Sequence, residues 1–458
     1  FMLYGPIPIM DHALKMDDEM TYFPRNTFDQ CVDFIVSDCQ YGIDGALPMI
    51  YTNASGTVAE SLYGRATKAA AYALKARVLL YAASPLFNGN ADYAKFANED
   101  GTLLFAPKDD SKWGKAAAAA KEAIDKIEGS SYYGLYYSDE PDNGYRNYME
   151  LFLPSKKWNK EYIFARNQGT GYSDNIHQEK CMAANGMGGW SGLCPTQELV
   201  DAYEMANGST PIIGYNADGT PIINGASGYS ETGFAATAGK HYPAGVYNMY
   251  VGREPRFYAS INFNGQQWRG RQLEFWQGGK DGINVSKVDY CCTGYLLRKT
   301  ADEGVDVING KGGMKEASIL FRVGSLYLDY AEALNEAEGP VDDVYKYVDA
   351  IRKRAGLPGL AKGLDKDKMR ERIQHERQIE LAFEAGHRYF DCHRWKIAEK
   401  TDNGYMHGMN ITATNKVDYS KRSTVGDSRV FEKKHYLFPI PQSEMDKRIG
   451  LVQSPYWE

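Results

Sequence analysis

Apolar residues recur at helical spacing in the first third of the chain. From Lys68 to Ala83 they fall three or four positions apart, and Thr67 stands where an N-terminal cap is expected. The pattern is carried by Ala70, Ala73, Leu74, Arg77, Leu80 and Tyr81. A second helix is predicted from Ser111 to Ile127. Large residues followed by alanines let neighbouring helices approach closely, which is typical of degenerate tetratricopeptide-like helix pairs.

The pattern changes between Ser131 and Lys311, where Gly, Asn, Tyr and Thr are dense and apolar runs are short. Short strands are predicted at 162–164, 257–263 and 273–276, with a turn at Asn264-Gly265 and a helix at 197–205. Helices then return at 318–336, 341–355 and 366–385, and Gly356 and Gly386 are the predicted stops. The chain is therefore predicted to be mainly α, a tetratricopeptide-like scaffold carrying an irregular, loop-rich lobe.

We predict four parts of one fold. Residues 1–130 form an N-terminal helical part, and 131–311 form a variable ligand-binding lobe. Residues 312–400 supply the C-terminal helices, and 401–458 form a tail packed on the scaffold. The chain opens Phe1-Met2-Leu3-Tyr4 without a leader or an early lipid-attachment cysteine, so it is predicted to be the interior of a longer protein.

The composition of the chain argues against several classes of function. A net charge of −7 disfavours nucleic acid, which needs a basic face. The seven cysteines contain no C-x-x-C, which argues against zinc. No run of apolar residues is long enough for a membrane helix. The 34 tyrosines exceed the 18 phenylalanines, and amphipathic rings of this kind suit surfaces that bind polar ligands.

Candidate catalytic residues do not form a convincing site. Glu376, Glu380 and Glu384 could supply carboxylates for glycoside hydrolysis, but their spacing predicts one salt-bridged stripe on a helix. His387 and His393 invite a metal interpretation, yet they fall on different helical faces. Nucleophile-elbow and phosphate-loop motifs are missing from the sequence. We therefore predict no catalytic residues, no metal site and no cofactor.

Aromatic residues of the lobe are the better candidates for a binding site. Sugar rings have apolar faces that stack on exposed aromatic planes, while polar side chains bond their hydroxyls. The predicted carbohydrate-binding residues are Trp190, Trp268, Trp276, Tyr172, Tyr229, Tyr242 and Arg271. Trp190 among glycines and Trp268-Arg269-Gly270-Arg271 look least like core segments.

Several blocks resemble the SusD/RagB family, in the order that this family has them. The most telling runs from Glu376 through Gly386-His387-Arg388-Tyr389-Phe390-Asp391 to Trp395, and a second is Tyr436-Leu437-Phe438-Pro439-Ile440-Pro441-Gln442. Further blocks begin at Gly64, Pro195, Arg253, Phe321 and Ile351, so the resemblance extends from about Gly64 to Glu444. Where relatives often have Asp-Leu-Arg-Arg-Trp, this chain has Asp391-Cys392-His393-Arg394-Trp395.

The resemblance implies a cell-surface lipoprotein of the outer membrane that performs no chemistry. Such proteins are held by an N-terminal lipid anchor, here not present in the chain, and capture oligosaccharides for a SusC-like TonB-dependent transporter. The alternatives are a RagB-like peptide-binding relative, a glycoside hydrolase, and a lid that only stabilises the transporter. The family's ligand contacts lie in variable loops, so the aromatic candidates rest on residue chemistry alone.

Overall fold

The computed structural model describes residues 1–13, 22–153, 159–167, 172–310, 317–384 and 386–457. Helices of the first half are α1 (Phe28–Asp44), α2 (Lys68–Ala83), α3 (Ser111–Gly129), α4 (Gly144–Phe152), α5 (Tyr172–Met182), α6 (Gln197–Ala202) and α7 (Pro255–Ser260). Those of the second half are α8 (Val323–Glu338), α9 (Asp342–Arg354), α10 (Lys366–Glu380), α11 (His387–Arg394), α12 (Ala398–Thr401), α13 (Lys416–Tyr419) and α14 (Gln442–Met445).

Five antiparallel strand pairs complete the described structure. In chain order the strands are β1 (Tyr162–Asn167), β2 (Ile212–Tyr215), β3 (Pro221–Ile223), β4 (Ile261–Phe263), β5 (Gln267–Trp268), β6 (Arg271–Gln272), β7 (Tyr295–Leu297), β8 (Ala317–Arg322), β9 (Gly404–Met409) and β10 (Arg422–Arg429). The pairs are β1–β8, β2–β3, β4–β7, β5–β6 and β9–β10. Sheets of two strands are too small to form a core of their own. β1 and β8 pack on α2, β4 contacts α7, and β9 contacts α6.

The helices build one continuous stack from two distant parts of the chain. α1 packs on α2, α2 on α3, α3 on α8, and α8 on both α9 and α10. Thr67 caps α2 by accepting a hydrogen bond from the Ala70 amide at 3.2 Å, as predicted. Buried alanines of α2 and α3, among them Ala76 and Ala120, let these helices approach closely. The predicted mainly helical, tetratricopeptide-like fold is confirmed.

A second core lies in the lobe. Its buried side chains come mostly from 182–301, and Ile379 of α10, Met409 of β9 and Tyr419 of α13 join it. The end of the chain also reaches the first helices, because Tyr436 and Leu437 share a third core with Phe28. The division into four parts stays a prediction. In the described part of the chain, no helix combines the length and the apolar character needed to span a bilayer.

Several predicted boundaries were wrong. The helix predicted at 197–205 ends at Ala202, and residues 273–276, predicted as a strand, are not one. Residues 257–263, predicted as one strand, divide into the end of α7 and β4, and Pro255 starts that helix at N1. Residues 318–336 begin as β8, which pairs with β1 far along the chain, before α8 starts. α10 ends at Glu380 rather than at residue 385, and Phe383 has a left-handed φ of 63°.

Buried ion pairs join the helical stack to the lobe. Glu380 of α10 accepts hydrogen bonds from Arg256 at 3.0 Å and from Arg354, and it lies 2.9 Å from Arg322. We call the whole group the arginine–glutamate lattice: Glu161, Glu204, Glu254, Glu376, Glu380, Glu384, Arg256, Lys299, Arg322, Arg352 and Arg354. Every one of these residues is buried. Charges are rarely buried unless paired, and here each carboxylate has at least one cation as its partner.

A second buried cluster fixes the helix after Gly386. Asp391 accepts from Arg377 at 2.9 Å and from Arg394 at 2.8 Å, and Arg377 also donates to Asp329 at 2.6 Å. The Trp395 indole donates to Glu332 at 2.7 Å. All charged residues of the most telling sequence block except Arg388 are thus buried and ion-paired inside the fold: Glu376, Arg377, Glu380, Glu384, Asp391 and Arg394.

Candidate functional site

One cleft brings aromatic rings and unused polar groups together at the surface of the lobe. Its volume is about 300 Å³. It is lined by Tyr145, Gly239, Lys240, His241, Tyr242, Pro243, Gln266, Gln267 and Arg298, and we call it the aromatic cleft. These residues come from α4, the loop 239–243, the β4–β5 connection, the first residue of β5 and the residue after β7. A concavity that combines apolar ring faces with a few convergent polar groups is a usual form of a ligand site.

Stacked rings form one wall of the cleft. The Tyr145 ring lies 4.7 Å from the His241 ring, centroid to centroid, with 29° between the planes. Behind them the buried Tyr258 ring is 5.3 Å from His241 and 6.2 Å from Tyr242. Because Tyr258 supports both residues of the loop, the rings that face the cleft are held in place before any ligand arrives.

Gly239 allows the loop to close over Tyr242. The Gly239 amide donates to the Tyr242 carbonyl oxygen at 2.9 Å. A Cβ atom at position 239 would stand 2.4 Å from two carbons of the Tyr242 ring. Any larger residue must therefore displace that ring or open the loop.

Arg298 organises the floor of the cleft. Its Nη2 donates to the Tyr145 hydroxyl at 2.6 Å and to Glu303 Oε1 at 3.3 Å. The guanidinium also lies 4.7 Å from the centroid of the Trp268 ring. A guanidinium above an aromatic face is a favourable cation–π arrangement. Arg298 thus links the Tyr145 wall of the cleft to the lobe core beneath it.

Gln266 offers an acceptor without a donor. Its side chain is 95% buried, since only 5% is exposed. The Oε1 atom has no hydrogen-bond partner among the residues that the structure describes. A buried acceptor left unpaired costs about 1–3 kcal/mol, which a ligand hydroxyl or amide proton can recover. Gln266 also lines the aromatic cleft, so an unpaired acceptor at this position favours a ligand that donates a hydrogen bond.

The electrostatics of the cleft favour a neutral imidazole. Burial, together with the charges of Lys240 and Arg298, lowers the pKa of His241 to about 4. Burial likewise raises the pKa of Tyr145 above its ordinary value of 10.0. Near neutral pH both rings are uncharged and present flat, polarisable faces, while Lys240 and Arg298 supply positive charge to the cleft.

Two of the seven predicted binding residues do not offer an exposed ring, and that prediction was wrong for them. Trp268 is only 2% exposed and packs beneath Arg298. Tyr229 is 6% exposed, and its hydroxyl donates to Glu231 at 2.7 Å. Both belong to the lobe core. Next to Trp268 in sequence, Gln267 is exposed, whereas the Trp268 ring turns inward.

The other candidates lie in different surroundings. Tyr242 lines the aromatic cleft. Trp190 is 37% exposed and lies near the His177 ring, 5.2 Å between centroids, and it is not among the residues that line the cleft. Trp276 packs partly against the lobe core with Lys416 over its ring. The Tyr172 side chain falls outside the described residues.

Arg271 is held by an internal partner. Its Nη1 and Nη2 donate to the two carboxylate oxygens of Asp281 at 2.7 and 2.6 Å. Asp281 is fully buried and also accepts from the Glu274 amide at 2.9 Å. A two-pronged bond of this kind orients a loop, and it leaves fewer donors for a ligand.

The structure argues against a catalytic or a metal-binding role for the carboxylates considered in the sequence. Glu376, Glu380 and Glu384 are buried within the arginine–glutamate lattice and paired with arginines, so no substrate can reach them. Asp391 is engaged by two arginines. Over the described ranges, no group of three His, Cys, Asp or Glu side chains is arranged to hold a metal ion.

Tyr145, His241, Gln266 and Arg298 were missed by the sequence reasoning. Tyr145 follows Asn143-Gly144 in a segment that looks like a loop, and Arg298 follows a short apolar run. The one local signal is Lys240-His241-Tyr242-Pro243 between two glycines. Of these residues, only Tyr242 is among the predicted binding residues. The cleft itself is formed by residues that are far apart in the chain.

Comparisons with known proteins agree on one family. The sequence model described as the SusD family matches residues 154–457. SusD-like protein P25 of Formosa agariphila is 42% identical over 82 residues, 17% of this chain, and the match spans only 15% of that relative. The solved structure of BT4246 is 28% identical with a TM-score of 0.82 and covers 100% of this chain and 81% of its own.

A further neighbour is similar in fold alone. The SusD-like carbohydrate binding protein BF0978 of Bacteroides fragilis has a TM-score of 0.67 at 21% identity, covering 97% of this chain and 75% of its own.

Proposed function

This chain belongs to the SusD family, and we propose that it captures glycans in the aromatic cleft without performing chemistry on them. The unpartnered Gln266 Oε1 beside the stacked rings of Tyr145 and His241 carries the proposal. A sugar ring has an apolar C–H face that packs on such rings, and its hydroxyls donate to acceptors and accept from donors. The carbohydrate-binding neighbour of the same fold points to the same ligand class.

The lining of the cleft supports binding rather than hydrolysis. A glycoside hydrolase needs two carboxyl groups on either side of the bond that breaks. Among the described residues that line the aromatic cleft, none is Asp or Glu. Glu303 stands behind Arg298 as its partner and is not part of the lining. Glycans that bind in the cleft are therefore expected to be released without being cleaved.

The family also suggests where the captured glycan goes. In this proposal the protein sits at the cell surface of the outer membrane, held by a lipid anchor, and hands oligosaccharides to a SusC-like TonB-dependent transporter. Affinity-tagged protein expressed in its own host should then co-purify with a TonB-dependent barrel from detergent-solubilised outer membranes. Recovery in the soluble fraction without such a barrel would remove the transport part of the proposal and leave glycan binding to be tested alone.

Calorimetry against soluble host and plant polysaccharides, with a peptide digest included, tests glycan capture. Binding of one glycan is expected at roughly micromolar to millimolar Kd, about −8 to −4 kcal/mol, with no release of reducing sugar. His241→Ala should weaken it about tenfold, because an aromatic contact contributes ~1 kcal/mol or more. Tyr41→Ala is the matched control, since Tyr41 is 84% exposed on α1, away from the cleft.

The outcomes separate the alternatives. Binding of peptides and no glycan would assign the chain to the peptide-binding branch. Equal affinity in wild type and His241→Ala would move the site away from the aromatic cleft. Trp190 stays a proposed second contact, and Trp190→Ala should then lower affinity without changing Tm, because its ring is partly exposed.

A further inference from the structure

Three cysteines of the lobe meet in space although they are distant in sequence. The Sγ atoms of Cys194 and Cys291 are 3.9 Å apart. Cys292 follows directly, and its thiol also contacts Cys194. Cys291 is buried, Cys194 is half-buried and Cys292 is exposed. The glycan-binding proposal makes no use of this cluster.

Backbone hydrogen bonds hold the two sides of the cluster in register. The Leu297 amide of β7 donates to the Leu193 carbonyl oxygen at 2.9 Å, which fixes the backbone next to Cys194. The Cys291 thiol donates to the Tyr295 carbonyl oxygen of the same strand at 2.9 Å. A disulfide has its sulfur atoms ~2.05 Å apart. The 3.9 Å between the Cys194 and Cys291 sulfur atoms exceeds that length by about 2 Å, and the hydrogen bonds keep the two segments side by side.

We propose that Cys194 forms a disulfide bond with the Cys291–Cys292 pair when the chain folds under oxidising conditions. The bond forms by exchange with a disulfide-bearing oxidant. A thiolate of the cluster attacks a sulfur of the oxidant, giving a mixed disulfide and releasing one thiol. A second thiolate of the cluster then displaces the other half of the oxidant. Two protein thiols lose two protons and two electrons, and one oxidant disulfide becomes two thiols.

The environment of the cluster suits a bond that forms during folding and then persists. The contact with the Cys291 thiol raises the pKa of Cys194, and the contact with Cys194 raises the pKa of Cys292, with burial adding to both. Thiolate, the reactive form, is therefore scarce in the folded protein. Once formed, the bond is also shielded on the Cys291 side.

The disulfide would tie a surface loop to the strand that precedes the cleft. The loop between α5 and α6 carries Trp190 and ends near Cys194, and Arg298 follows β7 directly. Joining residues almost a hundred positions apart restricts the unfolded chain strongly. The loop would then keep a fixed position relative to β7.

The test is refolding of the full chain in oxidised and reduced glutathione, followed by iodoacetamide labelling under denaturing conditions and intact mass. In the oxidised wild type, iodoacetamide is expected to label all but two of the seven cysteines. Reduction of the disulfide should lower the Tm by several degrees. Cys194→Ser should keep all its remaining thiols free. Cys181→Ser is the matched control, since Cys181 lies near the same loop. Oxidation of this variant should still remove two free thiols.

Peptide mapping decides the pairing. A peptide from the 194 region linked to one containing residues 291–292 supports the proposal. Full labelling of all seven cysteines after oxidation, or a bond confined to Cys291 and Cys292, overturns it. If Cys194→Ser does not fold, the Cys292→Ser variant keeps the test, because loss of two thiols there, together with a peptide linking residues 194 and 291, places the bond between Cys194 and Cys291.

Discussion

Replacing Glu380 by Gln removes one charge from the centre of the arginine–glutamate lattice and leaves the side-chain volume nearly unchanged. The carboxylate is fully buried and forms ion pairs with Arg256, Arg322 and Arg354. Burial opposes ionisation of Glu380, but the charges of these arginines and of Lys299 outweigh it and hold the pKa at about 2. The carboxylate is therefore charged in the folded protein at neutral pH.

The expected loss of stability follows from the remaining partners. Breaking a buried ion pair by removing one member costs about 3–5 kcal/mol. Each of the three arginines keeps another carboxylate, for example Glu161 for Arg322 at 2.6 Å, so the lower end applies. We expect Glu380→Gln to lower the free energy of unfolding by about 3 kcal/mol. At ~2 °C per kcal/mol for a large domain, the Tm falls by about 6 °C.

Urea unfolding followed by circular dichroism, together with calorimetric Tm, measures the change. Glu371→Gln is the control on the same helix, because Glu371 is exposed and should change stability by less than about 0.5 kcal/mol. Glu380 has a folded pKa below its ordinary 4.5, so its stabilisation is complete above 4.5 and is lost as the pH falls towards 2. Wild type and Glu380→Gln should converge over that window. Equal stability at pH 7 would refute the reasoning.

Three further predictions concern the lobe. Trp268→Ala should lower the free energy of unfolding by about 3–5 kcal/mol in urea, because its ring is 2% exposed under Arg298; a loss below ~1 kcal/mol would contradict this. Gly239→Ala should weaken glycan binding in calorimetry, since the new Cβ meets the Tyr242 ring, and an unchanged Kd would argue against the cleft. Affinity for a neutral glycan should stay constant between about pH 6 and 8, because the pKa of His241 is about 4; a step near 6.5 would count against a neutral imidazole.

Local signals were enough to predict those helices whose capping and helix-breaking residues are present in the sequence. α2 begins at Lys68 after Thr67 and ends before Ser84-Pro85, where the sequence places a cap and a helix breaker. The strand β8 could not be recognised, because its apolar run also fits a helix and only the pairing with β1 decides it. The fold class was predictable, whereas single boundaries depended on partners distant in sequence.

The site was less predictable than the fold for the same reason. Whether a tryptophan among polar residues is exposed depends on the direction of its ring, and Trp268 turns inward beneath Arg298. Glu380 looked like one member of a charged stripe, although its side chain lies among arginines from three other segments. The aromatic cleft has no linear pattern, because Tyr145 and Arg298 meet only in the folded chain.

The order in which the chain is made constrains how the helical stack can assemble. Arg77 of α2 donates to the Leu320 carbonyl oxygen at 2.8 Å, across 243 residues of sequence. α3 ends at Gly129 and α8 begins only at Val323, so the apolar face of α3 that packs on α8 stays uncovered until residues 130–322 have been synthesised. Contacts this distant slow folding and favour aggregation in the meantime. A fragment ending at residue 310 should therefore bind a hydrophobic dye that the full chain excludes, and in the cell the nascent protein is expected to depend on a chaperone.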